Sequence, residues 1–93
     1  MFVHMSIHYP RPGQEKFLTD SMHRFGAAII AQPGCKQAHV LKDHKTGRLI
    51  GLAIWDNKES WLAARPVMEQ AVKDDDFEAW EVKPPDVFHL DEI

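Results

Sequence analysis

The fold is decided by the stretch Phe2-Val3-His4-Met5-Ser6-Ile7-His8-Tyr9, in which apolar and polar side chains alternate. Successive side chains of a β-strand point to opposite faces, so this stretch predicts a strand with two unlike faces. The apolar face consists of Val3, Met5 and Ile7. The polar face consists of His4, Ser6 and His8. We expect the apolar face to pack on the core and the polar face to line a partly hydrated cavity or interface.

The composition describes an ordinary globular domain. The chain has 93 residues, of which 44% are hydrophobic and 27% charged, which predicts a single domain over residues 1–93. The formal net charge of −3 offers no electrostatic attraction to nucleic acid or to an anionic membrane. A single cysteine, Cys35, excludes an internal disulfide and a multi-cysteine metal site. No signal peptide or membrane-spanning stretch is visible, so we expect a cytoplasmic protein.

Turn and breaker residues divide the chain into six main elements. Predicted strands cover residues 2–9, 35–43, 48–56 and 86–90. The first helix is predicted over residues 14–32, where apolar side chains recur every three or four positions. Asp56 or Asn57 can cap a second helix, which we expect to kink or break before Pro66. Asp74–Asp76 is expected to be a solvated run that starts a short turn through Phe77 and Trp80.

This order is β-α-β-β-α-β, the pattern of ferredoxin-like α+β domains. It predicts a four-stranded antiparallel sheet with two helices on one face. The other face of the sheet is left bare, and its apolar members need a partner. We expect the face of His4 and His8 to be this bare one.

The alternation in the other strands predicts which side chains share the bare face. From the second strand they are Gln37, His39 and Leu41, while Ala38 and Val40 point to the helices. From the third strand they are Leu49, Gly51, Ala53 and Trp55, while Ile50, Leu52 and Ile54 point to the helices. His89 could join them from the last strand. A one-residue bulge would invert the assignment of any strand.

Four short motifs together resemble a known family. They are Pro12-Gly-x-Glu15-x-Phe17, Pro33-Gly34-Cys35, Ile54-Trp55 and Asp56-Asn57-Lys58-Glu59. Their order and spacing resemble the antibiotic biosynthesis monooxygenase family of the dimeric α/β-barrel superfamily. The resemblance spans nearly the whole chain. It implies a homodimer that pairs its sheet faces around a small cavity, and activities that include cofactor-free oxygenation of quinol-like aromatics or haem breakdown.

One departure from that family bears on cofactors. Haem-degrading relatives carry a histidine ligand on the second helix, but this sequence has no histidine between His44 and His89. We therefore expect no haem and no other cofactor. The histidines lie on predicted strands instead.

The leading hypothesis is a cofactor-independent monooxygenase acting on a small aromatic or quinol-like molecule. Such a reaction needs a base to deprotonate the substrate, and His4 or His8 is the candidate. Expected substrate contacts are Ser6, Gln37, His39, Trp55, Asn57, Trp61 and His89. The alternative is a non-catalytic dimeric module that binds a small molecule or serves stress or regulation, with its histidines at a hydrated interface.

A metal site is a third interpretation of the histidines, since neutral imidazole binds zinc, copper, iron and nickel. Two residues four apart in a strand have Cα atoms about 13 Å apart. His4 and His8 therefore cannot bind one ion without a ligand from another strand. We expect no metal.

Overall fold

The computed structural model describes residues 1–93. Its elements are β1 (Phe2–His8), α1 (Glu15–Ile30), β2 (Cys35–Lys42), β3 (Leu49–Trp55), α2 (Lys58–Val72), α3 (Phe77–Trp80) and β4 (Asp86–Asp91). The predicted element order is confirmed. The strands form one antiparallel sheet in the order β2-β3-β1-β4, with the helices on one face. This is the predicted ferredoxin-like α+β fold.

The helices cover the face that carries the histidines, which is the opposite of the prediction. On β1 this face holds Phe2, His4, Ser6 and His8, paired across the sheet with Trp55, Ala53, Gly51 and Leu49 of β3. Phe2, Leu49, Ala53 and Trp55 are at most 3% exposed. The prediction was right only for β2, whose Ala38 approaches Gly26 of α1.

Size explains the inverted assignment. Both faces of β3 are apolar, so alternation alone could not identify the buried one. The prediction placed the bulkier Ile50, Leu52 and Ile54 under the helices. The structure instead places the small residues Gly51 and Ala53 in the middle of the covered face, because helix α1 comes close to the sheet there: a Cβ built on Gly51 would lie 3.5 Å from the Cε of Met22. Small side chains allow that approach.

The core is built from the two ends of this covered face. One cluster joins Phe2, Ala53 and Trp55 of the sheet to residues of both long helices, which are Ile29, Trp61, Ala64 and Met68. A second cluster contains Leu18, Met22 and Leu49. Full burial of a side chain of this size contributes about 1.5–3 kcal/mol. The sheet is therefore held to the helices at both ends, with less side-chain volume between them.

Helix α2 differs from the prediction in one respect. Asn57 caps it as predicted, with its Oδ1 accepting a hydrogen bond from the Ser60 N–H at 2.9 Å. The helix then continues through Pro66 without the predicted break. Pro66 removes only the hydrogen bond to the carbonyl of Leu62, and Leu62 is exposed, so water can hydrate that carbonyl.

The acidic run before α3 is only partly solvated. Asp76 caps α3 through the Ala79 N–H, which confirms the predicted turn. The Asp75 side chain, however, is only 8% exposed, and its carboxylate accepts hydrogen bonds from the Ser21 hydroxyl and from Arg24 at 2.9 Å. The prediction that the whole run is solvated was wrong, because an ion pair to α1 offsets the loss of hydration at Asp75.

The uncovered face of the sheet is mainly apolar. It carries Val3, Met5 and Ile7 of β1, Ile50, Leu52 and Ile54 of β3, Leu41 of β2, and Phe88 and Leu90 of β4. Leu41, Phe88 and Leu90 are each about 40% exposed or more. Gln37, His39 and Asp86 lie on its two edge strands. We call this surface the open face.

No helix is long and apolar enough to cross a membrane.

Two glycines with positive φ provide a matched test of packing. Gly34 (φ +86°) and Gly13 (φ +81°) both adopt the left-handed conformation. A Cβ on Gly34 would lie 2.6 Å from the Cβ of Ser60, whereas a Cβ on Gly13 would meet nothing within 4 Å. Gly13→Ala should lower the free energy of unfolding by about 1–2 kcal/mol. Gly34→Ala should lower it by about 3 kcal/mol or more, because overpacking is added.

Urea denaturation of the two variants measures this difference. Equal losses would contradict the close contact between the 33–35 turn and the start of α2.

Candidate functional site

A cavity of about 190 Å³ lies between helix α1 and the sheet. An apolar cavity of about 150 Å³ in another protein holds benzene, so this volume suits one aromatic ring. Ser6 and His8 of β1 line one wall, together with Val87 of the neighbouring strand β4. All residues of β4 are exposed. The apolar side chains around the cavity include Met22, Phe25, Ile29, Ala38, Val40, Ala53, Val72 and Phe77.

Missing side-chain volume in the middle of the sheet creates the cavity. Ser6 on β1 pairs with Gly51 on β3, and Gly51 in turn pairs with Val40 on β2. Larger residues fill the ends of the covered face, where Trp55 and Leu49 are buried. A Cβ built on Gly51 would lie 2.9 Å from the Ser6 Oγ, so Gly51 leaves room for that hydroxyl.

His8 links a buried carboxylate to the cavity. Its Nδ1 lies 3.0 Å from Oε1 of Glu81, and its Nε2 lies 2.8 Å from the Oγ of Ser6. The side chains of His8 and Glu81 are 12% and 2% exposed. A carboxylate only accepts hydrogen bonds, so this arrangement assigns the proton to Nδ1. Nε2 is then an acceptor, and it receives the hydrogen of the Ser6 hydroxyl.

Backbone pairing holds Glu81 in place. Residue 81 forms an isolated antiparallel bridge with Pro10. On either side, the Arg11 N–H donates to the Trp80 carbonyl at 2.8 Å and the Val82 N–H donates to the Tyr9 carbonyl at 2.8 Å. The Tyr9 N–H also donates to Oε1 of Glu81 at 3.2 Å. We call residues 80–82 the strap. It fixes a carboxylate against a strand that is distant in sequence.

His4 lies on the same wall in a more aromatic setting. Its ring centroid is 5.3 Å from that of His89, 5.6 Å from that of Trp61 and 6.5 Å from that of Phe25. Burial lowers the pKa of His4 from 6.5 to about 4, and the nearby His89 and His8 add to the effect. His4 is therefore neutral near pH 7 and too weak a base for proton abstraction there.

The structure unites only some of the residues predicted to form the site. His4, Ser6 and His8 line one cavity, and His89 stands across from His4 on β4. These residues face the helices, not the bare side as predicted. By strand register the side chains of His39 and Gln37 lie on the open face, where the His39 Nε2–H donates to Oε1 of Gln37 at 2.9 Å. His39 nevertheless borders the cavity as predicted, whereas Gln37 does not.

The remaining predicted substrate contacts, Trp55, Asn57 and Trp61, do not line the cavity. Trp55 is fully buried in the core at 0% exposure and is not among the cavity walls. The side chain of Asn57 caps α2 by accepting the Ser60 N–H. Trp61 is buried and packs against His89, with ring centroids 4.5 Å apart and the ring planes tilted by 55°. It reaches the site through His4 and His89 and does not line the cavity itself.

Sequence reasoning missed Glu81. It is separated from His8 by 73 positions. No spacing rule connects residues so far apart. The only local signal is that Glu81 lies between two apolar residues, Trp80 and Val82.

No group of three or more His, Cys, Asp or Glu side chains is placed to hold a metal ion.

The buried pair of His8 and Glu81 predicts a stability effect. Glu81→Gln keeps the shape of the side chain and one acceptor oxygen but removes the negative charge. The free energy of unfolding should therefore fall by about 1–3 kcal/mol. Glu78→Gln is the matched control, because Glu78 is exposed on α3. Urea denaturation compares the two variants. A loss in Glu81→Gln no larger than that in the control would contradict the buried pair.

The lowered pKa of His4 predicts acid sensitivity. In the unfolded chain His4 takes up a proton near pH 6.5, whereas in the folded chain it does so only near pH 4. Between these pH values His4 is protonated in the unfolded chain but not in the folded one. The titration of His4 therefore makes the free energy of unfolding fall as the pH falls. His4→Phe keeps a ring but cannot titrate. It should lose less stability than the wild type between pH 7 and pH 4.5.

Urea denaturation at a series of pH values measures both proteins. Parallel curves for the two would contradict a neutral, buried His4.

Comparisons with solved structures show the same architecture elsewhere. Rv0793 from Mycobacterium tuberculosis has a TM-score of 0.85 at 15% identity, covering 99% of this chain and 94% of that one. A Deinococcus radiodurans protein provisionally named an antibiotic biosynthesis monooxygenase has a TM-score of 0.83 at 16% identity, covering 99% and 92%. A Nitrosomonas europaea protein with the same provisional name has a TM-score of 0.79 at 12% identity, covering 100% and 99%.

The chain matches no protein-family model and no curated protein by sequence. The TM-scores show a shared fold, and at identities this low the activity has to be argued from the site. The chain therefore has the fold of the solved structures named as antibiotic biosynthesis monooxygenases, as the order of its sequence motifs predicts.

Proposed function

We propose that the protein is a cofactor-independent monooxygenase for a small quinol-like aromatic molecule. The observation that carries this proposal is the His8 imidazole, oriented by a buried Glu81 and directed through Ser6 into a mainly apolar cavity. The fold shared with proteins provisionally named monooxygenases supports the same class of chemistry.

His8 has the geometry of a general base. A base oriented by a carboxylate at one ring nitrogen presents the other nitrogen in a fixed direction. The Ser6 hydroxyl donates to that nitrogen and still has lone pairs to accept a phenolic O–H. A phenolic proton can therefore reach His8 through Ser6. General-base catalysis of this kind typically contributes about 10²–10⁴-fold to a rate.

The cavity walls complete the site. Met22, Phe25 and Ile29 of α1 face the sheet across the cavity. They offer a ring-shaped substrate apolar contact and keep water from the anion formed after deprotonation. An anion in such a setting is a stronger electron donor than one in water, because water no longer stabilises its charge.

The reaction can be written with a hydroquinone and dioxygen alone. Loss of the phenolic proton to His8 gives an anion that passes one electron to dioxygen. The semiquinone and superoxide then combine at a ring carbon to form a peroxide. The peroxide loses water, using the proton held by His8, and leaves a hydroxyquinone. One oxygen atom enters the product, the other leaves as water, and the substrate supplies both electrons.

The open face supports a second element of the proposal, a homodimer. Nearly all of its central residues are apolar, and its polar members lie on the two edge strands. Contiguous apolar surface of this kind mostly marks an interface. A second copy of the chain supplies a face of the same shape, and two such faces bury each other around a two-fold axis.

Oxygen uptake tests the activity. Wild-type protein with methylhydroquinone in air-saturated buffer containing EDTA should consume oxygen faster than buffer alone. With ¹⁸O₂, one labelled atom should appear in the quinone product. His8→Gln should lower the rate by about 100-fold or more.

His44→Gln is the matched control, because His44 is an exposed turn residue. It should leave oxygen uptake unchanged. Saturable binding of the hydroquinone without oxygen uptake would contradict the monooxygenase and favour a binding module. A rate unaffected by His8→Gln would remove His8 from the mechanism.

Light scattering tests the dimer. Leu52→Lys places a charge at the centre of the open face, where Leu52 pairs with both Met5 and His39. The wild type should have twice the mass of the chain, and Leu52→Lys should be monomeric. Leu62→Lys is the control, since Leu62 is 43% exposed on α2, which lies on the covered side of the sheet. A monomeric wild type would contradict the paired sheets.

A further inference from the structure

Three side chains at the cavity form a continuous series that a general base alone does not require. The Oγ of Ser6 lies 2.8 Å from Nε2 of His8, and Nδ1 of His8 lies 3.0 Å from Oε1 of Glu81. A hydroxyl hydrogen-bonded to an imidazole, which is in turn hydrogen-bonded to a buried carboxylate, is the arrangement of an activated nucleophile. The arrangement is recognised by geometry and not by order along the chain.

We propose that Ser6, His8 and Glu81 form a nucleophilic triad that hydrolyses small aryl esters in this cavity. Ser6 is the nucleophile, His8 is the base that takes its proton, and Glu81 holds the tautomer and orientation of His8. Both Ser6 and His8 line the cavity, so the nucleophile faces the space where a substrate would bind.

The aryl group follows from the shape and lining of the cavity. Its volume of about 190 Å³ suits one ring, and its far wall consists of Met22, Phe25 and Ile29. A small acyl group then lies toward Ser6. An aryl alcohol is also a good leaving group, so the reaction places little demand on transition-state stabilisation.

Each step conserves atoms and charge. The Ser6 oxygen attacks the ester carbonyl as His8 takes the hydroxyl proton. The tetrahedral intermediate collapses, the bond to the aryl oxygen breaks, and His8 returns the proton to that oxygen. A water molecule, deprotonated by His8, then attacks the acyl-serine. The second collapse releases the carboxylic acid and restores the Ser6 hydroxyl.

His4 is the side chain available to stabilise the oxyanion. It lies two residues from Ser6 on the same face of β1, a separation of about 7 Å between Cα atoms, and lines the same cavity. Burial lowers the pKa of His4 to about 4, so it is a neutral imidazole with one N–H near pH 7. A neutral imidazole N–H can stabilise a developing oxyanion.

Ester hydrolysis and oxygenation are two different proposed reactions in the same cavity. The triad uses the Ser6 oxygen as a nucleophile and consumes no dioxygen, whereas the proposed monooxygenase uses Ser6 to pass a proton. Ester turnover under nitrogen therefore tests the triad alone, and oxygen uptake with a hydroquinone tests the monooxygenase alone.

The experiment uses the full chain and p-nitrophenyl acetate under nitrogen. The wild type should release p-nitrophenolate, and rapid acid quenching followed by mass spectrometry should find one acetyl group on Ser6. Ser6→Ala should abolish that adduct and lower turnover by about 100-fold or more. Ser6→Cys should restore the adduct on the thiol, which separates loss of the nucleophile from loss of folding.

The carboxylate and background reactivity are tested in parallel. Glu81→Gln should lower turnover at pH 7 while leaving a detectable adduct on Ser6. His44→Gln is the control for exposed imidazole and should leave turnover unchanged. Turnover equal in wild type and Ser6→Ala, or acetyl groups only on lysines or on the N-terminal amine, would overturn the triad.

Discussion

The architecture depends on how side-chain volume is distributed along the covered face of the sheet. Large residues at its ends, such as Trp55 and Leu49, anchor the helices to the sheet. Small ones in the middle, Ser6 and Gly51, leave space there. If the middle were filled to ordinary core density there would be no cavity. The packing that stabilises the fold and the cavity under the helices are thus two parts of one pattern.

The second constraint is the buried hydrogen bond between His8 and Glu81. A carboxylate that is 2% exposed needs a charged or hydrogen-bonded partner, and His8 and the Tyr9 N–H provide one. The strap keeps the pair together by backbone hydrogen bonds. The same pair presents the free nitrogen of His8 to Ser6, so a stabilising interaction also sets the direction of proton transfer. The two reactions that we propose, oxygenation and ester hydrolysis, both use that direction.

The predictability of the fold differed between elements for physical reasons. The order of elements could be predicted because turn residues such as Gly13 and Gly47 and the caps Asn57 and Asp76 act locally. Pro66 misled because the carbonyl that loses its hydrogen bond, that of Leu62, lies on the exposed side of α2. The buried side of β1 and β3 could not be predicted, because β3 is apolar on both sides and β1 turns its more polar side to the helices, so alternation does not identify the covered face.

What the sequence by itself determined is the set of elements and the grouping of His4, Ser6 and His8 on one side of β1, because strand geometry imposes a period of two. Which side the helices cover was decided only by tertiary packing, since the close approach of α1 requires the small residues of that side. The meeting of Glu81 with His8 was likewise a tertiary result. Residues 73 positions apart have no local signal, and only the strap brings the carboxylate to the imidazole.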